Sequence, residues 1–156
     1  MIFGTFQVRD NLSLTLSYLF LQYKITQDIY SHDGAGNPQT DFGVSYEDKA
    51  HVYSAAIHFL PTDRISGTAE VTHTRNSGGF VPNANFHLLP VSIGTFGSQE
   101  VQQTYYRLTG EYLLKTDLTL GFVYSYAEFD DVLDSIYDSE SDGRGHMILL
   151  NVSKKW

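Results

Sequence analysis

Asp138-Ser139-Glu140-Ser141-Asp142-Gly143 sets side-chain oxygens at alternate positions ahead of a glycine, which is how a calcium-binding loop opens. The twelfth position of such a loop needs a bidentate Glu, and here it is Leu149. With Asp130, Asp131 and Asp134 alongside, the segment reads instead as a solvated acidic loop. His58, Glu70 and Glu111 are the residue types of an acid–base set. No nucleophile motif, metalloprotease His pair or phosphate-binding loop accompanies them. The six histidines, at 32, 51, 58, 73, 87 and 146, are scattered, and none pairs at metal-ligand spacing. The chain has no Cys, which excludes disulfides, thiolate metal sites and a covalently attached haem of its own. The reading is of a protein that is not an enzyme, with no metal or cofactor.

The remaining chemistry is distributed along elements. The formal charge of −8 lacks the basic footprint of a nucleic-acid partner. Mean hydropathy is −0.22, and no apolar run approaches the roughly 20 residues of a membrane helix. Alternation at period 2 is widespread and helical spacing is rare. It predicts seven strands, at about 1–9, 12–26, 48–60, 64–75, 100–114, 118–130 and 145–156. In the fourth, Ile65, Gly67, Ala69 and Val71 oppose Ser66, Thr68, Glu70 and Thr72. In the second, Leu12, Leu14, Leu16, Tyr18 and Phe20 oppose Ser13, Thr15 and Ser17.

The connections alternate in length. Short ones fall at Asp10-Asn11, Pro61-Thr62-Asp63 and Lys115-Thr116-Asp117, and Asp suits such turns by bonding to nearby backbone. Long ones cover about 27–47, 76–99 and 131–144. The hairpin unit thus recurs about every 50 residues. This predicts an all-β, antiparallel up-and-down meander of about seven long strands.

Such a meander turns its apolar face either inward, as a soluble ligand-binding barrel, or outward to lipid. Strands of about 10 to 15 residues exceed the usual five or six and match a membrane crossing. Aromatics gather near the ends of the apolar faces: Tyr18 and Phe20, Tyr53 and Phe59, Tyr106 and Tyr112, then Phe122, Tyr124 and Tyr126. Amphipathic rings settle at headgroup level as girdles. The last strand alternates Ile148, Leu150 and Val152 against Asn151 and Ser153 and stops on Trp156.

These residues resemble the C-terminal portion of a porin-like bacterial outer-membrane β-barrel. In that family a terminal aromatic closing an amphipathic strand is the signal read by the barrel-assembly machinery. The resemblance assigns that role to Ile148, Leu150, Val152 and Trp156, although most members end in Phe and Lys154 departs from the apolar face. It implies a chain embedded in outer-membrane lipid, with short turns periplasmic and long loops outside. It further implies one C-terminal segment over 1–156, since seven strands and an outer N-terminus break the even count of such barrels. Residues 1–9 show neither a basic region nor an apolar core of a signal peptide, and a strand pattern is already running there.

On this reading the polar face lines a lumen that includes His58, with Glu70, Arg107 and Glu111 as its charged members. These charges either bias ions or pair across strands. Tyr18, Phe20, Phe59, Tyr112, Phe122, Tyr124 and Tyr126 form the lipid-facing girdle. Between Arg75 and Glu100 the chain is uncharged yet carries Phe80, Phe86, Leu88 and Phe96. That composition suits a plug, a docking loop, or extensions of the flanking strands. The implied function is porin-like passage or scaffolding. An alternative is the sheath around a multihaem cytochrome in an extracellular electron conduit, where the haem belongs to the partner. A soluble ligand-binding barrel is the third reading.

Overall fold

The computed structural model describes residues 1–32, 35–81, 98–132 and 142–155. These build one seven-stranded antiparallel sheet, curled into a half-barrel, with the strands in chain order. They are β1 (Ile2–Arg9), β2 (Leu12–His32), β3 (Pro38–Thr62), β4 (Ile65–Val81), β5 (Gln99–Lys115), β6 (Leu118–Asp131) and β7 (Gly143–Lys154). Every strand pairs with its chain neighbours alone, so β1 and β7 each present one unpaired edge.

Three hairpins close with two-residue turns, at Asp10-Asn11, Asp63-Arg64 and Thr116-Asp117. Mirror-image hairpin turns would need positive φ, and no residue other than glycine has it here. Each turn instead follows a one-residue shift of register in the incoming strand, between Gln7 and Arg9, Phe59 and Thr62, and Leu113 and Lys115. The extra residue supplies the twist that an ordinary turn lacks. The turns are also laced sideways: Leu60 N–H donates to Asn11 O at 2.8 Å, Leu113 N–H to Arg64 O at 2.8 Å and Lys155 N–H to Asp117 O at 2.9 Å.

At the opposite end the strands run further than their pattern predicts. The loop expected over 27–47 is mostly ladder, paired from Gln27↔Val44 to His32↔Pro38. Its one irregularity uses Gly43, at φ +66°, whose N–H donates to Asp28 Oδ1 at 3.0 Å. Likewise β4 continues through residues 76–81, so Phe80 belongs to a strand rather than a loop. Phe86, Leu88, Phe96, Asp134, Asp138, Glu140 and Trp156 lie outside the described residues.

Among the described residues the sheet has no second layer. Among the described residues Val44 is the one fully buried hydrophobic side chain. A sandwich or a closed soluble barrel buries an interior of such residues; this sheet leaves its apolar face open.

Candidate membrane-facing belt and inner wall

Register fixes which side chains share a face. Starting from Leu12, the rung Leu12–Phe59–Gly67–Gly110–Phe122–Leu150 crosses β2 to β7. One step outward along the same face lie Leu14–Ile57–Ala69–Leu108–Tyr124–Ile148, and then Leu16–Ala55–Val71–Tyr106–Tyr126–His146. These rungs form an aliphatic belt with its side chains uncovered: Ile57 is 44% exposed, Leu108 40%, and Leu150, on the edge strand, 76%. Tyr18, Phe20, Phe59, Tyr112, Phe122, Tyr124, Tyr126, Ile148, Leu150 and Val152 all share this face.

The aromatics bracket the belt. Phe59, Tyr112 and Phe122 lie toward the tight turns, and the Phe59 ring lies across Gly67, where a Cβ would come within 2.2 Å of it. Toward the other end, Tyr18 stacks obliquely on Tyr53 at 5.1 Å, and Tyr106 on Tyr126 at 6.0 Å. Three histidines join that row. Tyr18 Oη and His51 Nδ1 are 2.9 Å apart, His73 Nδ1 and Thr104 Oγ1 3.0 Å, and Tyr124 Oη and His146 Nδ1 3.0 Å. Sequence patterning leaves these histidines unassigned, because it reads each as an isolated polar residue.

Beyond the Tyr/His row the same face becomes charged, and it does so through ion pairs. Lys24 meets Glu47 at 2.9 Å, Lys49 meets the other oxygen of Glu47 at 3.8 Å, Arg144 meets Glu128 at 2.8 Å, and Arg75 pairs with Glu100. The hydrogen bond and charge of Lys24 hold the Glu47 carboxyl below its ordinary range against the opposing effect of desolvation, with a lesser push from Lys49.

Both borders of the belt run obliquely to the rungs. The first residues after the tight turns, Leu12, Ile65 and Leu118, descend by about one residue per strand relative to Leu12's rung. The first charges on the face, Lys24, Lys49, Arg75, Glu100, Glu128 and Arg144, descend in the same sense by about six residues over five strand steps. With about 3.3 Å per residue and about 4.8 Å between strands, that slope equals a strand tilt of about 35–40°. From Ile65 to Arg75 is about 33 Å along β4, hence about 25 Å measured across the tilt.

The opposite face is small and polar over the same span. His58, Glu70, Arg107 and Glu111 all lie on it. Glu70 and Arg107 are direct register partners, yet they form no ion pair; with Thr68 and Thr109 they border a 240 Å³ recess. His58 Nδ1 contacts Thr68 Oγ1 at 3.1 Å, while Glu111 lies near the tight turns, where a 750 Å³ cavity also takes in Asp10, Asp63 and Arg64. His58, Glu70 and Glu111 therefore sit on successive rungs without a mutual hydrogen bond. A hydroxyl row crosses the wall further out: Ser17 and Ser54 are 2.9 Å apart, and Tyr105 donates to the buried Ser125 at 2.9 Å. The acidic run contributes Asp142, which accepts from Asp131 N–H at 3.1 Å and so closes the β6–β7 connection. Among the described residues no cluster of three potential metal ligands occurs, and no helix is long and apolar enough to cross a membrane.

No protein family, curated protein or solved structure matches this chain.

Proposed function

We propose that this sheet is a wall segment of a bacterial outer-membrane β-barrel that provides porin-like passage or a membrane-spanning scaffold, with no catalysis of its own. The observation that carries the proposal is the oblique belt. A flat lipid slab cuts tilted strands at a level that slides along the register, and the belt's two borders slide together. The implied tilt of about 35–40° and height of about 25 Å match the tilt and outer apolar band of such barrels. A soluble barrel would place these exposed leucines and isoleucines inside, and nothing would then select an ion-paired border running parallel to the turns.

In this assignment the aliphatic face meets lipid, the Tyr/His and Phe rows meet headgroups, and the hydroxyl-lined face meets water. The short turns are periplasmic and the extended β2–β3 hairpin projects outside. Because β1 and β7 run in the same direction, antiparallel closure adds an odd number of further strands between them. Lipid and the assembly machinery are then the obligatory partners. A multihaem cytochrome sheathed by the same wall would reveal itself as haem absorbance in the purified complex.

The cysteine-free chain suits a labelling test on the assembled barrel. A fluorophore on Leu108→Cys is expected to be quenched by brominated lipid, and one on Thr109→Cys by aqueous iodide. Iodide quenching of both, or the reverse assignment, would overturn the proposal.

A further inference from the structure

Midway between the turns and the rim, the inner wall sets two opposite charges side by side and leaves them apart. One rung reads Thr15–Ala56–Glu70–Arg107–Ser125–Met147, so Glu70 and Arg107 are direct partners across β4 and β5. Lys24 and Glu47 stand in the same relation at the rim and meet at 2.9 Å, as do Glu128 and Arg144 at 2.8 Å. Glu70 instead accepts from Thr72 Oγ1 at 3.5 Å, and among the described residues the Arg107 guanidinium has no ion pair or hydrogen bond. The Ser125 hydroxyl next to it is already engaged by Tyr105 Oη at 2.9 Å.

The two charges border a recess of 240 Å³ that Thr68 and Thr109 complete. That is the space of about eight waters, and it lies below the roughly 300 Å³ at which larger organic ligands begin to fit. Arg107 is also singular on this face, because the other strand cations placed by the register, Lys24, Lys49, Arg75, Arg144 and Lys154, lie on the belt face. An exposed ion pair contributes little to stability, so the wall loses little by leaving this one open. A molecule bridging the pair gains two charge-assisted contacts, and a guanidinium takes a carboxylate through two parallel N–H bonds. Register partners hold their Cβ atoms about 5 Å apart, so the bridging molecule must carry its own opposite charges close together.

We propose that this recess binds a small zwitterion of the α-amino acid class, its carboxylate on the Arg107 guanidinium and its ammonium on the Glu70 carboxylate. The inference rests on the membrane reading above, which makes this face the water-filled one, and it names a solute class for that face. A simple anion or cation satisfies one charge and leaves the other facing it, and a neutral solute satisfies neither. Both protein charges stay hydrated, so the solute is held loosely enough to leave again, as passage requires.

The test is a saturation-transfer NMR titration of L-alanine on the assembled barrel in lipid nanodiscs, with acetate and methylammonium as single-charge probes. L-Alanine is expected to bind saturably and at least about tenfold more tightly than either probe, since each probe lacks one charge-assisted contact. Glu70→Gln should reduce L-alanine to the affinity of acetate, and Arg107→Gln to that of methylammonium. The exchange Glu70→Arg/Arg107→Glu keeps the composition of the wall and should return L-alanine to within about threefold of the parent. Glu111 lies about 13 Å from Arg107 along β5, beyond the screening length of about 8 Å at 0.15 M salt, so Glu111→Gln should leave the affinity unchanged. L-Alanine binding no tighter than the single-charge probes would overturn this inference. Single variants that change nothing, or that weaken all three probes equally, would overturn it as well. Brominated-lipid quenching at Leu108→Cys, read on the same preparation, separates the two readings. Quenching without a preference for L-alanine leaves the membrane reading intact, whereas loss of quenching overturns both.

Discussion

Replacing Leu108 by arginine puts a charge on the belt about 10 Å, measured across the tilt, from the border at Tyr112. On the lipid face of a barrel an arginine near mid-depth costs about 2–4 kcal/mol, falling to about 0–1 kcal/mol at the interface. Leu108 shares its rung with Ile57, Ala69 and Ile148, so no acidic neighbour is within one strand to compensate. Leu108→Arg should therefore shift the unfolding equilibrium by about 30- to 700-fold, at 1.4 kcal/mol per decade. Thr104→Arg lies on the same strand four residues outward, opposite Glu128, and should cost under about 1 kcal/mol. Thr109→Arg lies beside Leu108 but on the inner wall, and should likewise cost under about 1 kcal/mol. The assay is reversible urea unfolding of the assembled barrel in phosphatidylcholine vesicles, followed by circular dichroism. A cost for Leu108→Arg no greater than for Thr104→Arg, or an equal cost for Thr109→Arg, would refute the depth-dependent lipid assignment.

Further tests address the rim, the turn end and assembly. Arg75→Gln should lower stability by no more than about 1 kcal/mol, and the difference from the parent should vanish in 1 M salt, as for an exposed pair. Because the Glu47 carboxyl is held low in the folded state, its contribution is present above its ordinary value of 4.5 and is lost as pH falls through the lowered one. Glu47→Gln should therefore flatten that part of an acid-unfolding curve, whereas an unchanged curve would count against the Lys24 pairing. Gly67→Ala should displace the Phe59 ring and cost about 1 kcal/mol, and the loss should be largely absent in a Phe59→Ala background, as a double-mutant cycle would read. Removing Trp156 should reduce outer-membrane assembly of the parent barrel, measured as the heat-modifiable folded fraction on a gel.

The inward parts of the strands were legible because one face there is uniformly apolar and the alternation keeps one phase. Leu12 to Phe20 and Leu118 to Tyr126 needed no tertiary information. The outer halves of β2, β3 and β4 were not legible for a specific reason. Around Tyr18 to Phe20 the apolar phase moves from even to odd positions, so Leu19, Leu21, Tyr23 and Ile25 break a pattern that the backbone continues. The patterned strand therefore stops at about residue 26, six residues short of its observed end at His32. The ion-paired rim was also hidden, since Arg75 and Glu100 become neighbours only through the β4–β5 register. Conversely, the sharing of one face by His58, Glu70, Arg107 and Glu111 followed from alternation alone, while the missing ion pair between Glu70 and Arg107 could not.

Contacts between successive strands alone have a consequence for how such a wall originates and varies. Each tight hairpin carries its own bulge, its own sideways hydrogen bond to the end of the strand that follows it, and its own section of belt and rim. Copying a hairpin adds two strands and extends both borders along the same slope, so diameter can change by duplication without redesigning any interior. Adding a single strand would turn every later side chain's chain direction end for end and put short turns where long connections belong. The architecture therefore grows in pairs, as a modular ribbon whose unit of inheritance is the hairpin.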